Sequence, residues 1–279
     1  MYPSLSRYIG TMRYTFWIVL FFLFTLPAVA GTPVIDSKLI QAVEGDHRSE
    51  KNSARDTYRK PMETLNWLGL KEDMTVVEIT PGGGWYTEIL APYLRDKGTF
   101  YAAGFDASSK VDYFRRVAKA FDDKLATKPA VYDKVIVTEL APPTKTQIAP
   151  PGSVDMVLTF RNVHNWMSAN NSDAILTAMY TALKPGGILG LVEHRGDAEI
   201  KQDPKAKSGY VNEAYTIAMI EKAGFKLVEK SELLANSKDT KNHPKGVWTL
   251  LPTLRLGDQQ REQYLAIGES DRMLLKFVK

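Results

Sequence analysis

Short β-branched runs and stretches of helical periodicity alternate along most of the chain. From Val111 to Phe121, for example, apolar residues recur every three or four positions, which is typical of a helix with one buried face. Strands that alternate with such helices form a mostly parallel, doubly wound sheet. We therefore predict a single α/β domain over residues 31–279. Its seven predicted strands span residues 74–79, 99–103, 135–138, 154–160, 188–193, 225–229 and 273–278.

Two segments lie outside this regular alternation. Residues 31–60 are polar and charged with a weak helical pattern, and we predict that they form a helical lid. Pro61 then opens a helix that ends near Gly69, since proline suits the first helical position. Residues 232–271, between the last two strands, are too many for a simple hairpin. We expect this insertion to build the substrate side of the domain.

The first thirty residues have the pattern of a secretory signal. They contain Arg7 and Arg13 but no acid, then an apolar run over 16–26, and they end in Ala28-Val29-Ala30. We predict cleavage after Ala30 and export to the periplasm. The run is shorter than the roughly 20 residues that span a bilayer, so we expect no stable membrane span after cleavage, and an uncleaved anchor is the alternative.

Charge and cysteine content exclude several classes of function. The formal net charge is +4, and two arginines of the leader account for half of it, which leaves +2 for residues 31–279. So small an excess is not typical of a nucleic-acid-binding protein. The chain has no cysteine, which excludes a disulfide, a thiol nucleophile and a thiolate metal site.

A glycine turn follows the first predicted strand. Glu78 lies near the end of that strand, and Gly82, Gly83 and Gly84 lead into a helix. Because glycine has no side chain, a flat or anionic ligand can approach the main chain closely there. A dinucleotide site would have a further glycine where Thr87 stands, which disfavours a nicotinamide cofactor.

This turn resembles motif I of the class I S-adenosylmethionine-dependent methyltransferases, an acid followed by three alternating glycines. Gly82 and Gly84 match the second and third glycine, while Thr80 stands where the first is usual. The resemblance runs from about Arg55 to the C-terminus and includes residues 153–157, 183–187 and the closing strand. More narrowly, residues 59–61, 81–86 and 160–165 are similar to a group of predicted bacterial methyltransferases that often carry export signals.

The resemblance implies S-adenosylmethionine as the cofactor, with its methionine end held by Glu78 and the loop backbone. An acid at or just after strand two should bind the ribose hydroxyls. Asp106 is the acid nearest that position, although a cap for a helix beginning at Ala107 is the alternative, and Glu139 is a weaker candidate for the adenine edge. The expected cofactor-binding residues are Glu78, Thr80, Gly82, Gly83, Gly84, Asp106 and Asn162.

Polar side chains follow strands four and five. Ligands of open α/β sheets bind outside the carboxyl ends of the strands, so these side chains are expected at one rim. Neutral imidazole titrates near working pH, so we predict His164 or His194 as a general base, and Arg161 or Arg195 as a holder of an anionic substrate. The alternative is that these residues tie loops together and cap strand ends. The predicted catalytic residues are His164, His194 and Arg161.

A metal site is the remaining possibility at this rim. The two histidines and Glu193 offer ligand atoms, but no ligand spacing supports a metal, and we predict none. The sequence therefore favours an S-adenosylmethionine-dependent methyltransferase acting on an oxygen or nitrogen of a small molecule. The alternative is an exported, non-catalytic protein that binds a nucleoside-like or other metabolite. The sequence leaves the oligomeric state open.

Overall fold

The computed structural model describes residues 36–279, together with Met1 and Pro3. The predicted signal sequence and its cleavage site lie outside the described residues, as does the start of the predicted lid. Among the residues described, no helix combines the length and the hydropathy needed to cross a bilayer.

Seven strands form one sheet in the order β3-β2-β1-β4-β5-β7-β6. All neighbouring pairs are parallel except those of β7, which runs antiparallel to both β5 and β6. This confirms the predicted doubly wound, mostly parallel sheet. The strands are β1 (Thr75–Ile79), β2 (Thr99–Gly104), β3 (Ile136–Glu139), β4 (Val154–Phe160), β5 (Leu183–His194), β6 (Lys226–Ser231) and β7 (Arg272–Val278).

The start of β5 is the main difference from the predicted strand limits. We predicted a turn up to Gly187, whereas the strand already begins at Leu183. Leu183 pairs with Val154 and Ile188 with Met156, so the register shifts between these two pairs. The residues predicted as a turn are accommodated as an irregularity within the strand.

Eleven α-helices and one 3₁₀ helix, over residues 246–249, connect the strands within the described part of the chain. The helix after the glycine turn forms as predicted. The α-helices are α1 (Ser37–Glu44), α2 (Glu50–Ser53), α3 (Asp56–Arg59), α4 (Pro61–Leu68), α5 (Thr87–Leu94), α6 (Asp112–Thr127), α7 (Pro129–Tyr132), α8 (Val163–Ala169), α9 (Ser172–Ala182), α10 (Glu213–Lys222) and α11 (Arg261–Ile267).

The helix α6 begins later than Ala107, which was its expected start. The residues before it form a turn in which the Asp106 carboxylate accepts hydrogen bonds from the backbone and the hydroxyl of Ser108. Val111 is exposed rather than inward, and Phe121 is the buried apolar residue of the helix. The face of α6 that carries Val117 lines a cavity, which explains why this residue is only partly buried.

Apolar side chains cover both faces of the sheet. Because successive residues of a strand point to opposite faces, Val76 joins a cluster with Leu65 and Ile89, while Val77 joins a second cluster with Leu176. The first cluster includes residues of α1, α4 and α5, and the second includes residues of α8 and α9. The carboxyl edge of the strands is left for a ligand site.

The N-terminal segment and the insertion meet near this edge. Leu39 and Val43 of α1 are buried within the cluster that contains α5. Arg55 donates a hydrogen bond from Nε to Oε1 of Glu269, at 2.6 Å, and so joins the N-terminal segment to the insertion. That the two segments act as a lid and as a substrate side stays a prediction.

Candidate cofactor and catalytic site

The glycine turn lies where the strand order reverses. β1 is flanked by β2 on one side and β4 on the other. The connection after β1 therefore runs toward one edge of the sheet, and the connection after β4 runs toward the opposite edge. Such a switch point is where doubly wound sheets bind ligands. Thr80 has a φ of 49°, a left-handed conformation that is strained for a β-branched residue. Thr80, which stands where the motif usually has its first glycine, therefore adopts a backbone conformation that glycine would reach without strain.

The three glycines have different physical roles. A β-carbon placed on Gly82 or Gly83 would meet no atom within 4 Å in the described part of the chain, so their faces are open. A β-carbon on Gly84 would lie 2.9 Å from Cε of Lys124 on α6. Gly82 and Gly83 thus leave room for a ligand, whereas Gly84 allows α6 to pack against the turn.

A cavity of about 820 Å³ extends from this turn along the ends of β2 and β3. Gly82, Phe105, Phe121 and Glu139 contribute to its wall. This volume falls in the range of small-molecule and cofactor sites, which is roughly 300–1,000 Å³. The cavity combines apolar walls with a few polar groups, as a nucleoside site requires.

Asp106 and Glu139 are both bound to the same lysine at this cavity. Lys145 Nζ lies 2.7 Å from Asp106 Oδ1 and 2.5 Å from Glu139 Oε2. The hydrogen bonds from Lys145 and Ser108 lower the pKa of Asp106 to about 2. Asp106 thus forms a local turn and an ion pair, and a ribose diol would have to share or replace the lysine. Lys145 was not singled out in the sequence.

Glu78 is buried between the turn and α5. Its Oε2 accepts a hydrogen bond of 2.7 Å from the hydroxyl of Thr87. Burial raises the pKa of Glu78 to about 7, although the Thr87 hydrogen bond and the charges of Arg59 and Lys124 oppose the rise. The threonine that replaces a dinucleotide glycine therefore orients the acid of the turn.

Asn162 ties two strand ends together. Its Nδ2 donates to the carbonyl of Ile79 at the end of β1, at 2.9 Å, and to Oγ1 of Thr159 on β4, at 3.2 Å. These contacts agree with the alternative in which Asn162 ties loops together. A role in cofactor binding stays a prediction for this residue.

His164 is held by the buried carboxylate of Glu193. The His164 Nδ1 lies 3.0 Å from Glu193 Oε1, and the backbone N–H groups of His164 and His194 donate to the same carboxylate at 3.2 and 2.7 Å. A carboxylate accepts hydrogen bonds, so Nδ1 of His164 carries the proton and Nε2 has a free lone pair. Sequence reasoning placed Glu193 at this rim but did not predict that it orients His164.

His194 lies beside His164 in a different environment. The two rings are 5.5 Å apart between centroids, and Nδ1 of His194 contacts the hydroxyl of Ser270 in the insertion. Burial, together with the charges of His164, Arg161 and Arg272, lowers the pKa of His194 well below its usual value. His194 is therefore neutral, and no carboxylate orients its ring among the hydrogen bonds of residues 36–279.

The same three residues could hold a metal ion. Ligand atoms of His164, Glu193 and His194 lie within 4.8 Å of one another, all buried. The sequence spacing did not suggest this arrangement, because His164 lies in α8 whereas Glu193 and His194 end β5. Three N–H donors already occupy the Glu193 carboxylate, however, so a metal there would replace hydrogen bonds that now orient His164.

The insertion and several aromatic residues enclose the histidines. Trp248 packs edge-on against His164 with 6.0 Å between ring centroids, and Arg255 stacks on Trp248 at 5.0 Å. Tyr86 stacks on Phe160 at 3.5 Å. The insertion thus reaches the site through Trp248, while Tyr86 packs against the end of β4.

No family model and no curated protein matches the sequence. Among solved structures, a SAM-dependent methyltransferase from Aquifex aeolicus superposes with a TM-score of 0.55 at 16% identity, covering 81% of this chain and 92% of that one. The chain has the class I methyltransferase fold.

A second solved structure shows how far this likeness reaches. The [4+2]-cyclase SpnF superposes with a TM-score of 0.54 at 14% identity, over 86% of this chain and 91% of that one. A fold hosts different reactions, and the site decides which one occurs. The fold alone therefore does not identify the reaction of this protein, which depends on the residues of its own site.

Proposed function

We propose that this protein is an S-adenosylmethionine-dependent methyltransferase that methylates an oxygen or nitrogen of a small molecule. One observation carries the proposal. His164, oriented by Glu193, lies in the first turn of α8, the helix that follows β4, and β4 is the neighbour of the strand that leads into the open glycine turn. A base and a cofactor cradle therefore lie at adjacent strand ends.

The cradle fits the cofactor in shape and chemistry. The open faces of Gly82 and Gly83 and the adjoining cavity suit a nucleoside, and Glu78 can receive the methionine ammonium group. Asp106 and Glu139 would bind the ribose and adenine end once Lys145 shares their carboxylates. When bound, S-adenosylmethionine supplies an electrophilic methyl group.

His164 acts on the acceptor. Its Nε2 removes the proton of an acceptor hydroxyl or amine as that atom becomes nucleophilic, and the imidazolium that forms is stabilised by Glu193 across 3.0 Å. Alignment of acceptor and methyl group contributes the remaining acceleration. His194 stays neutral beside it.

We also propose that the protein is exported and acts in the periplasm, because residues 1–30 have the features of a secretory signal. The similarity of residues 59–61, 81–86 and 160–165 to predicted methyltransferases that often carry export signals supports this location. A non-catalytic metabolite-binding protein is less well supported, since such a role does not require an oriented base.

Direct binding of the cofactor product tests the proposed function. We expect S-adenosylhomocysteine to bind the purified protein with a micromolar dissociation constant in calorimetric titration, because the open glycine turn adjoins a cavity of cofactor size. NADH serves as the control and should give no heat. The absence of binding at millimolar S-adenosylhomocysteine would contradict the cofactor assignment.

Cofactor affinity should depend on pH through Glu78. The acid has a pKa of about 7 in the free protein, so it becomes the anion that the methionine ammonium requires as pH rises. From pH 6 to pH 8 the ionised fraction grows by about tenfold, and affinity for S-adenosylhomocysteine should rise by about the same factor. Glu78→Gln should bind more weakly and with little pH dependence; a pH dependence unchanged in this variant would exclude Glu78 as its source.

The same raised pKa has a consequence for stability. Between about 4.5 and 7 the native protein binds more protons at Glu78 than the unfolded chain does. The contribution of Glu78 to the free energy of unfolding is therefore greatest below pH 4.5 and is lost as pH rises through 7. Glu78→Gln should remove this component of the pH profile in denaturant unfolding.

A further inference from the structure

Four arginines from distant parts of the sequence lie near the end of β5. Arg272 pairs with His194 in the sheet, the backbone N–H of Arg161 donates to the carbonyl of Val192, and Arg55 and Arg59 reach Arg272 through Glu269. Arg55 and Arg59 come from the N-terminal segment, Arg161 follows β4, and Arg272 begins β7. Glu269 contacts three of them: Arg55 Nε lies 2.6 Å from its Oε1, Arg272 Nη2 donates to its Oε2, and Arg59 Nε lies 3.8 Å from its Oε2. We call these four guanidinium groups the arginine cluster.

Positive charge exceeds negative charge in the arginine cluster. Burial would raise the pKa of Glu269, but the charges of Arg272, Arg55 and Arg59 lower it to about 2, so this acid supplies a full negative charge. Arg161 makes no side-chain ion pair with any residue that the structure describes. Burial and the charges of Arg272 and Arg55 lower its pKa to about 10. Glu269 is the carboxylate that pairs with the cluster, while Glu193 acts on Arg161 and Glu78 on Arg59 without an ion pair, so the four guanidinium groups outnumber the acids around them.

Several donors of the arginine cluster have no partner. Nε and Nη2 of Arg59, Nη2 of Arg55 and Nε of Arg272 are buried and make no hydrogen bond within residues 36–279. Arg59 and Arg272 are only 3% and 2% exposed. A buried donor without a partner costs free energy, and a buried charge costs more. These four donors are unmet hydrogen bonds that an added anion would satisfy.

The arginine cluster lies on the acceptor side of the site. The charges of Arg161, Arg272 and Arg59 all act on His194, which neighbours the base His164. The large cavity, by contrast, is lined by residues of the turn, β2, β3, α6 and the loop after β3, and by no member of the cluster. The two ends of the site therefore differ in charge.

We propose that the arginine cluster binds an oxyanionic group, a carboxylate or a phosphate, of the methyl acceptor. This inference rests on the proposed function, and it defines the substrate class as an organic acid. A guanidinium group forms paired, charge-assisted hydrogen bonds with either oxyanion, which matches the unpartnered donors. The anion positions the acceptor, and the methylated oxygen or nitrogen is a different atom that faces His164.

Arg195 provides a matched control. The sequence made it an equal candidate for holding an anion, but its guanidinium contacts three carboxylates, Glu213 at 3.3 Å, Glu232 at 2.7 Å and Asp271 at 3.2 Å. Its positive charge is therefore compensated, although its Nε is also buried without a hydrogen bond to any described residue. Arg161 and Arg195 thus differ in ion pairing while both follow strand ends at the same rim.

The test is calorimetric titration of benzoate and of inorganic phosphate into the purified full chain, with and without S-adenosylhomocysteine. We expect one of the two to bind at least tenfold more tightly than neutral benzamide or benzyl alcohol, and its identity distinguishes a carboxylate from a phosphate acceptor. Arg161→Gln should weaken that anion at least tenfold while the melting temperature stays the same or rises, because a like charge is removed. Arg195→Gln should lower the melting temperature and leave anion affinity within twofold.

Three results would overturn the proposal. The first is that neither anion exceeds the neutral compounds in affinity, and the second is that the affinity is the same in Arg161→Gln. The third is that Arg59→Gln and Arg161→Gln lose S-adenosylhomocysteine but keep 5′-methylthioadenosine, which lacks the methionine carboxylate; the cluster would then serve the cofactor. Anion binding that depends on Arg161 in a protein that does not bind S-adenosylhomocysteine would support the anion site and contradict only the proposed function.

Discussion

Replacing His164 by alanine is expected to lower methyl transfer by roughly 10²–10⁴-fold, the usual contribution of a positioned general base. Affinity for S-adenosylhomocysteine should stay within about twofold, because the glycine turn and its cavity do not include this ring. Release of S-adenosylhomocysteine from S-adenosylmethionine, with a panel of phenols, amines and organic acids as acceptors, measures the loss.

Two further variants separate catalysis from folding in this experiment. Glu193→Gln keeps a polar side chain at the buried position but removes the charge that stabilises the imidazolium, so an intermediate loss is expected. His243→Ala removes another histidine that pairs with a carboxylate, Asp239 at 2.8 Å, within the insertion and not at the end of β5. Turnover in His164→Ala equal to that of the unaltered protein would exclude His164 as the base and direct attention to His194.

Replacing Gly82 by valine is expected to weaken S-adenosylhomocysteine binding by at least about 100-fold. The glycine lines the cavity, and the face that would carry the β-carbon is open space, so the branched side chain would occupy the approach of the ligand. The substitution also forces a branched residue to a φ of 58°, which costs roughly 1–2 kcal/mol in the folded protein.

Gly152→Val separates these two effects. Gly152 has a φ of 64° and, like Gly82, no atom of the described chain lies within 4 Å of the point that a β-carbon would occupy, but it does not line the cavity. Both variants should therefore lose similar stability in thermal unfolding, whereas only Gly82→Val should lose cofactor affinity. Equal affinity in the two variants would refute the placement of the cofactor at the turn.

The same fold occurs in a methyltransferase and in the cyclase SpnF, so the residues on the acceptor side of the site decide the reaction. A cradle for a nucleoside cofactor is compatible with more than one chemistry, since a fold does not fix the reaction that it hosts. The pairing of Glu193 with His164 and the excess of arginine are properties of this chain's own residues. Together they favour proton removal from an acidic small molecule.

The sequence by itself was sufficient to predict the seven-stranded sheet, the glycine turn after β1 and the polar edge that carries the two histidines. Hydrophobic periodicity is local, so all seven strands were predicted, with β4 at its observed limits and β5 the main exception. The glycine turn was also readable, because its chemistry lies in consecutive residues. His164 and His194 could be assigned to one rim, since parallel strands that alternate with helices bring their carboxyl ends to the same edge.

Only the tertiary structure decided which of these residues act on one another. That Glu193 orients His164, that Lys145 joins Asp106 to Glu139, and that three arginines share Glu269 all depend on side chains from separate elements. Arg59 belongs to a segment that the sequence resemblance had marked, yet Arg272 carried no signal of its own. Such partnerships are set by long-range packing and strand register, which a local pattern of apolar and polar residues does not encode.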